Sequence, residues 1–394
     1  MNIVKSLPAA ILLTALLAIN LNAQNYLPDW QPGYLDFHSI ATGQGESTFI
    51  KMPDGTTMLI DAGDVGEAWT KVHLPDSSKT PGEWIAHYVR HFNKQAADPS
   101  KLDYFLLSHF HDDHMGTHNR PGSGYFDVLK TVSFDKIIDR GWPNYDYPSR
   151  EAITKVCPVV EQYIPTVQQQ VAEGAVAEQF KVGSRKQIRL LNDPKKYDFE
   201  VYNIAANACR HTGKGMKTVP MWPKGYDVNK YDENVFSCAF TMRYGKFKYY
   251  LGGDLSGARS EKQRPRDFET QVAPLVGPVT VMKANHHGQV DSGMPVFLWT
   301  LRPDVIVVQC SEYGHPKTPT AQRYLDPVYP GRRDVYITGD ISRRDLSEQI
   351  WSKFKPYGHV VVRVYEGGDS YQVFVLDPFS KDYNIIYQSD IYQL

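Results

Sequence analysis

Ser108-His109-Phe110-His111-Asp112-Asp113-His114-Met115-Gly116 decides how the rest of this chain is read, because residues 109–114 hold three histidines and a closely spaced aspartate. The preceding Leu102-Asp103-Tyr104-Phe105-Leu106-Leu107 is a short apolar run of the kind a buried strand needs, so the histidines stand where a strand ends and the chain turns. On extended chain, residues two apart share a face. His109 and His111 can therefore grip one cation together, while Asp113 and His114, in the turn that follows, point at a neighbouring position. The pattern predicts two adjacent metal ions. A polar surface turn is the competing reading.

Ahead of this run the chain opens with Lys5, an apolar run over 9–19, and Leu21-Asn22-Ala23 before Gln24. This is the pattern of a cleavable secretory leader over 1–23, with cleavage expected after Ala23. The apolar run is too short for a membrane span, so no stable membrane insertion is expected, and no cysteine follows Ala23 to carry a lipid. The mature chain is expected to begin at Gln24 and to be secreted or periplasmic.

Of the 394 residues, 42% are hydrophobic and 22% charged, the balance of an ordinary globular protein with ample core. A formal net charge of -1 argues against a strongly basic nucleic-acid binder. Cys157, Cys209, Cys238 and Cys310 are far apart and form no C-x-x-C pair, which excludes a zinc knuckle. Export would permit disulfides, although Cys238 and Cys310 sit in apolar runs and read as small buried hydrophobes.

Strands are expected at 34–40, 47–52 and 57–60, the last two joined by a Pro53-Asp54-Gly55 turn. A helix opens at Pro81-Gly82-Glu83 and runs to Phe92. From 119 to 192 the patterning weakens, with Pro158 and Pro165 interrupting a helix-like stretch, and this segment is read as an insertion near the site. Further strands are expected at 199–204, 235–243, 247–251, 279–284, 305–310, 335–338, 360–365 and 372–376. Two sets of strands with helices between them predict an α/β fold, two mixed sheets packed face to face with helices outside. Without a linker or a repeat, 24–394 is read as a single domain.

The histidine run resembles the H-x-H-x-D-H signature of the metallo-β-lactamase superfamily, and its αββα sandwich is the fold the resemblance implies. The resemblance implies that His109 and His111 serve one metal and Asp113 and His114 the other. Asp61, after Met58-Leu59-Ile60, matches the aspartate that orients a ligand histidine from behind. Asp254, after Tyr249-Tyr250-Leu251-Gly252-Gly253, matches the carboxylate that bridges both metals, each oxygen free to take one cation. A last ligand histidine is expected in Asn285-His286-His287-Gly288, with His286 preferred and His287 nearby. Cys209-Arg210-His211-Thr212-Gly213 offers His211 as a fragment of the superfamily's middle ligand motif.

Gly43-Gln44-Gly45-Glu46-Ser47, Arg243-Tyr244-Gly245, Gly253-Asp254, His286-His287-Gly288, Arg302-Pro303-Asp304 and Tyr313-Gly314-His315-Pro316 follow one another as in the hydrolase domain of ComEC-type DNA-uptake proteins and its free-standing relatives. The family's D-V-G-Q-G-D stands here as Ala41-Thr42-Gly43-Gln44-Gly45-Glu46, and no membrane-channel segment is present, so DNA import is not implied.

What the resemblance implies is an exported metal-dependent hydrolase of phosphodiesterase or nuclease type. Two zinc ions, with manganese or iron as alternatives, would hold a water between them and bring its pKa toward neutrality, so that hydroxide attacks the substrate. Asp113, His287 and His315 are the candidate catalytic residues, and His287, His315 or Lys283 would meet charge developing on substrate oxygens. The substrate expected is a small molecule, a nucleotide or a nucleic acid, and no protein partner is implied. Competing readings are a hydrolase of a lactam, lactone or thioester, a di-iron redox protein, whose flavin domain is missing here, and a non-catalytic metal-binding module.

Overall fold

The computed structural model describes residues 25–43, 45–64, 73–225, 227, 232–260, 265–309, 315–326, 329–342 and 346–394. The expected leader, Gln44, Cys310 and Tyr313-Gly314 lie outside the described residues.

The chain builds half of one sheet, then a second sheet, then returns to complete the first. β1 (Leu35–Ser39), β2 (Thr48–Lys51), β3 (Thr57–Ile60), β4 (Lys101–Leu106), β5 (Ser133–Asp139) and β6 (Val176–Gln179) come first. The second sheet follows, with β7 (Phe199–Ala206), β8 (Cys209–His211), β9 (Thr218–Pro220), β10 (Ala239–Tyr244), β11 (Phe247–Leu251), β12 (Val281–Lys283), β13 (Val305–Val308) and β14 (Asp334–Ile337). β15 (His359–Val364), β16 (Ser370–Leu376), β17 (Ile385–Gln388) and β18 (Tyr392–Gln393) close the first sheet. Its order is β17-β16-β15-β1-β2-β3-β4-β5-β6, with β18 on β16, and that of the second is β14-β13-β12-β11-β10-β7-β8-β9.

The first sheet is mixed for a local reason. The β2–β3 hairpin turns at Pro53-Asp54-Gly55, where Gly55 takes a positive φ of 86° and its N–H donates to the Met52 carbonyl at 2.9 Å. Next comes a crossover through α1 (Pro81–Phe92), so β4 lies parallel to β3. A capping box of Thr80 and Glu83, with Pro81 in the first turn, starts α1 at the position the sequence indicates.

Alternation along the strands sorts side chains into layers. Phe37, Ile50, Met58, Leu106 and Val362 from the first sheet meet Met242, Tyr249, Val281 and Val307 from the second in the central core. The outer face of the first sheet, with Phe49, Phe105 and Val361, packs against α1 and, further along the chain, the helix Val160–Ala172. On the outer face of the second sheet, Ile204, Tyr250, Met282 and Ile306 pack against the helices Phe268–Val276, Pro295–Leu301 and Thr318–Leu325. The arrangement is the αββα sandwich. Among the described residues no helix is long and apolar enough to cross a membrane.

Two expectations change. The segment 119–192 is not an addition to the sandwich, because β5 and β6 inside it extend the first sheet in parallel to β4. Pro165 lies within the helix Val160–Ala172 and does not end it. The stretch 235–243 is strand only from Ala239 onward, and Glu233–Phe236 is instead a short 3-10 turn. Cys157, Cys209 and Cys238 are free thiols.

Candidate metal centre

Past the end of β4 the histidine run bends at Phe110 and reaches His111, itself extended, which caps a one-turn helix over Asp112–Met115. Asp113 and His114 lie on the turn, as the spacing predicts, whereas the bend between His109 and His111 breaks the single extended stretch expected for them. Main-chain bonds hold this turn against the end of β3. The Ala62 N–H donates to the His114 carbonyl at 2.8 Å, Glu46 N–H to the Asp113 carbonyl at 2.7 Å, and Gly63 N–H to the Glu46 carbonyl at 2.9 Å. A Cβ on Gly63 would fall 1.7 Å from the Asp113 carbonyl oxygen, so only glycine admits this approach.

Asp61 follows β3 with a positive φ of 56°, a strained conformation for a residue with a side chain. Its Oδ1 accepts the Ser108 N–H at 2.7 Å, and its Oδ2 accepts both the Ser108 hydroxyl and the His114 Nδ1–H at 2.7 Å. With the Ser108 proton committed to Asp61, the 3.1 Å contact between Ser108 Oγ and His109 Nδ1 is donated by the imidazole. Both histidines are thereby set in the tautomer that leaves Nε2 as a lone pair.

Asp254, just after β11, faces these lone pairs. Its Oδ2 lies 3.3 Å from His287 Nε2, 3.4 Å from His114 Nε2, 3.9 Å from His109 Nε2 and 4.0 Å from His286 Nε2. His287 Nε2 is 3.1 Å from Asp113 Oδ2, and His114 Nε2 is 3.8 Å from Asp113 Oδ1. A neighbouring pair, His109 Nε2 and His111 Nδ1, is 3.1 Å apart. Ligand atoms at about 2.0–2.1 Å from a tetrahedral zinc stand about 3.3 Å from one another, and these separations cluster there.

The Nε2 atoms of His114 and His287 are buried and make no hydrogen bond, although carboxylates lie within 3.4 Å of each. Buried ring nitrogens are rarely left so. The donor set of imidazole and carboxylate, converging on one point with the outer nitrogens tied down, fits a divalent cation held by Asp113, His114, Asp254 and His287. Beside this group, His109 Nε2 stands 3.9 Å from Asp254 Oδ2 and is in hydrogen-bond contact with His111 Nδ1.

Charge around the cluster is balanced from behind. Lys283, at the end of β12, is buried with its Nζ 2.6 Å from Glu46 Oε1, 2.7 Å from the Gly253 carbonyl and 3.6 Å from Asp254 Oδ1. His287 Nδ1 faces the Gln309 carbonyl at 3.0 Å and Glu46 Oε1 at 3.1 Å. Burial pushes His114 and His287 toward the neutral form, but the surrounding carboxylates together outweigh it, Asp254 with Asp61 for His114 and Asp254 with Glu46 and Asp113 for His287, and raise both well above the usual histidine range. For His109, burial and the neighbouring His114 prevail, and its pKa falls well below that range.

The structure brings together His109, His111, Asp113, His114, Asp254, His287 and Asp61. It corrects four particulars. His287, not His286, points Nε2 between Asp113 and Asp254. Both residues have positive φ, 46° and 52°, and this turn carries the His286 ring toward the Asn234 amide at 3.0 Å and Asp291 at 3.2 Å. His211 stands apart on β8, with Nδ1 on the Tyr202 hydroxyl at 2.5 Å and Nε2 on the Gly215 carbonyl at 2.8 Å, so neither nitrogen remains for a metal. One oxygen of Asp254 faces the imidazoles of His109, His114, His286 and His287 while the other faces Lys283, and Lys283 is buried between Glu46 and Asp254 and does not reach outward to a substrate. His315 borders the group, its ring centroid 5.4 Å from that of His287, and accepts from the Gln289 amide at 3.1 Å. Burial, with the charges of His287 and His286, pushes its pKa down to about 2, so it stands neutral.

Glu233 and Gln309 carry no warning in the sequence. Glu233 Oε1 accepts the Phe110 N–H at 3.0 Å and is itself held by Arg140 Nε at 2.6 Å, which fixes the backbone between His109 and His111. Gln309 spans the two sheets, its amide donating to Thr48 Oγ1 at 2.8 Å. Glu46 was visible only as the last acid of a glycine-rich motif, and its ion pair with Lys283 joins the first sheet's motif to the second.

Residues 40–120 match the family model described as the metallo-beta-lactamase superfamily. This stretch, less than half of the chain, is similar to the metallo-β-lactamase superfamily, and the two-sheet sandwich agrees with that likeness. The matched stretch contains Glu46, Asp61 and the histidine run, while Asp254 and His287 come from beyond it. No curated protein matches the chain. Solved structures similar to it include the metallo-β-lactamase-fold protein YhfI from Bacillus subtilis, at 10% identity over 69% of this chain and 85% of that one, with a TM-score of 0.35. A diphosphatase of the PhnP family is 12% identical over 78% and 95% of the two chains, with a TM-score of 0.35. The short form of human tRNase Z is 10% identical over 69% and 91%, with a TM-score of 0.31. These likenesses are distant and say nothing of this chain's substrate.

Proposed function

We propose that this chain belongs to the metallo-β-lactamase superfamily and is an exported, metal-dependent hydrolase of phosphodiesters, in nucleotides or nucleic acid. The observation that carries the metal-dependent part is the pair of buried Nε2 atoms on His114 and His287, left without hydrogen bonds and converging with Asp113 and Asp254. The phosphodiester part rests on the order of sequence motifs shared with ComEC-type hydrolase domains, of which Glu46, Asp254 and His287 meet in the cluster. Export rests on the leader pattern of 1–23.

Asp113, His114, Asp254 and His287 would hold one ion and His109, His111 and Asp254 the other. When bound, such ions supply Lewis acidity toward a phosphoryl oxygen and acidify water. The chain's own residues prepare the site for this. Asp61 keeps a proton on His114 Nδ1, and the Gln309 carbonyl keeps one on His287 Nδ1, so both rings present Nε2. Lys283 offsets the charge that Glu46 and Asp254 bring together. His286, with Nδ1 on Asp291 and Nε2 on the Asn234 amide, is held at the rim beside His287 and has both ring nitrogens engaged.

The test is metal content of the purified mature chain alongside hydrolysis of a chromogenic phosphodiester and a chromogenic cephalosporin, for wild type and Asp113→Ala. Diester turnover that Asp113→Ala abolishes supports the proposal. Turnover of the cephalosporin alone would replace it with the lactam-hydrolase reading, and a metal-free protein inactive on both, even with added zinc or manganese, with the binding-module reading.

A further inference from the structure

At the opposite end of β3 from Asp61, the outer face of the first sheet carries a row of charge across three neighbouring strands: Lys51 on β2, Asp36 on β1 and Arg363 on β15, each in register with the next. Arg363 and Asp36 satisfy each other with two bonds, Nε to Oδ1 at 2.9 Å and Nη2 to Oδ2 at 2.6 Å, and Arg363 Nη1 donates to the Pro28 carbonyl at 2.7 Å. Lys51 is left over. It is 3% exposed, and among the described residues its ammonium forms no ion pair and no hydrogen bond, its recorded contact being the Trp30 ring, 4.7 Å from the centroid.

A cavity of about 650 Å³ opens beside this ammonium, lined by Trp30, His38, Lys51, His91, Phe92 and Arg363 among others. Asp29, Asp36 and Asp382 also line it, and Asp36 and Asp29 act on Lys51 through their charge without an ion pair to it. His38 Nδ1 meets the Tyr88 hydroxyl at 3.0 Å, and Lys94 and Asp29 pair with each other at 2.8 Å. The ammonium faces this cavity with no side-chain acceptor in contact, and the ring of Trp30 offers it only a weak cation–π attraction. The volume falls within the range of about 300–1,000 Å³ that small-molecule sites occupy.

We propose that this cavity is a binding site for a small molecule carrying a single anionic group on a flat ring, the anion against Lys51 and the ring beside Trp30 and Phe92. The site is separate from the metal centre, which lies past the other end of β3. An anion there would complete the charge row and supply the acceptor that Lys51 lacks. The flat part follows from the lining, which includes the rings of Trp30, His91 and Phe92.

The experiment titrates the mature, metal-loaded chain with naphthoate and with its neutral counterpart naphthylmethanol, following tryptophan fluorescence and heat of binding. Wild type and Asp113→Ala should bind naphthoate alike, and about tenfold or more tighter than naphthylmethanol, the value of one buried charge-assisted contact. Lys51→Met should erase that preference while leaving the ligand-free melting temperature unchanged or higher, because it removes a buried charge. Lys51→Gln gives the same reading if the methionine variant does not fold. The proposal falls if wild type shows no saturable naphthoate binding at millimolar concentration, if acid and alcohol bind equally, or if Asp113→Ala loses binding that Lys51→Met keeps.

Discussion

Buried charge gathers at both ends of β3, and the two ends are built on opposite plans. At one end Asp36 and Arg363 close on each other through two hydrogen bonds, a third from Arg363 goes to the Pro28 carbonyl, and Lys51 beside them is left over. At the other, Asp61 and the Gln309 carbonyl pin the outer nitrogens of His114 and His287 so that the inner ones converge on Asp254 without hydrogen bonds. Desolvation is costly in both places. The difference teaches that a buried charge already paired does not mark a functional site, whereas polar groups held in place and left unmatched do.

The largest effect that separates the two ends is expected from Asp254→Ala. One carboxylate oxygen lies within 4.0 Å of four imidazole nitrogens, so its loss should empty the metal centre and reduce hydrolysis about a thousandfold or more. Metal analysis and steady-state rates check this, and folding should survive.

Arg363→Met reverses that signature. It strands Asp36 in the interior and should cost about 3–5 kcal/mol in urea unfolding, with little change in the activity of the folded fraction. The pH dependence has a worked sign. Burial alone would raise Asp36, but Arg363 overcomes it and holds the carboxyl down at about 2. A carboxyl depressed on folding stabilises above its unfolded pKa, and this contribution is lost as pH falls from about 4 through about 2. Arg363→Met should flatten that acid limb of the stability profile.

Asp61→Asn should act more mildly, because the ligands themselves remain. It removes the acceptor that fixes His114, and metal affinity should drop about 10–100-fold, measured by competition with a chelator. Unchanged affinity would mean that Asp61 serves only the turn.

His211→Ala should have the smallest effect, leaving metal stoichiometry as in wild type. Its ring nitrogens belong to Tyr202 and Gly215.

The metal end was largely legible in the sequence, because its chemistry is concentrated in short stretches at strand ends. His109, His111, Asp113 and His114 fall within one turn, and Asp61 and Asp254 each close an apolar run. What could not be read was the choice between His286 and His287, since that depends on backbone torsions at a sharp turn, where adjacent side chains leave in different directions. His211 misled because a short motif fragment says nothing of where its strand pairs. Strands such as β2, β3 and β11 showed through their alternation, whereas β6, β9 and β18 are edge strands of two to four residues, rich in polar side chains, with little burial to leave a pattern. The segment 119–192 looked like an insertion because β5 and β6 are separated by helices whose prolines obscured the period.

The stabilising end was not legible at all. Asp36, Lys51 and Arg363 are distant in sequence, and only the register of β2, β1 and β15 makes them neighbours.

The most direct test of the account is anomalous diffraction at the zinc edge from crystals of the zinc-loaded chain. The account predicts an ion bonded by Asp113, His114 Nε2, Asp254 Oδ2 and His287 Nε2, with His286 outside its coordination. An ion bound by His286 or His211 in place of His287, or no ion at this cluster, would contradict it.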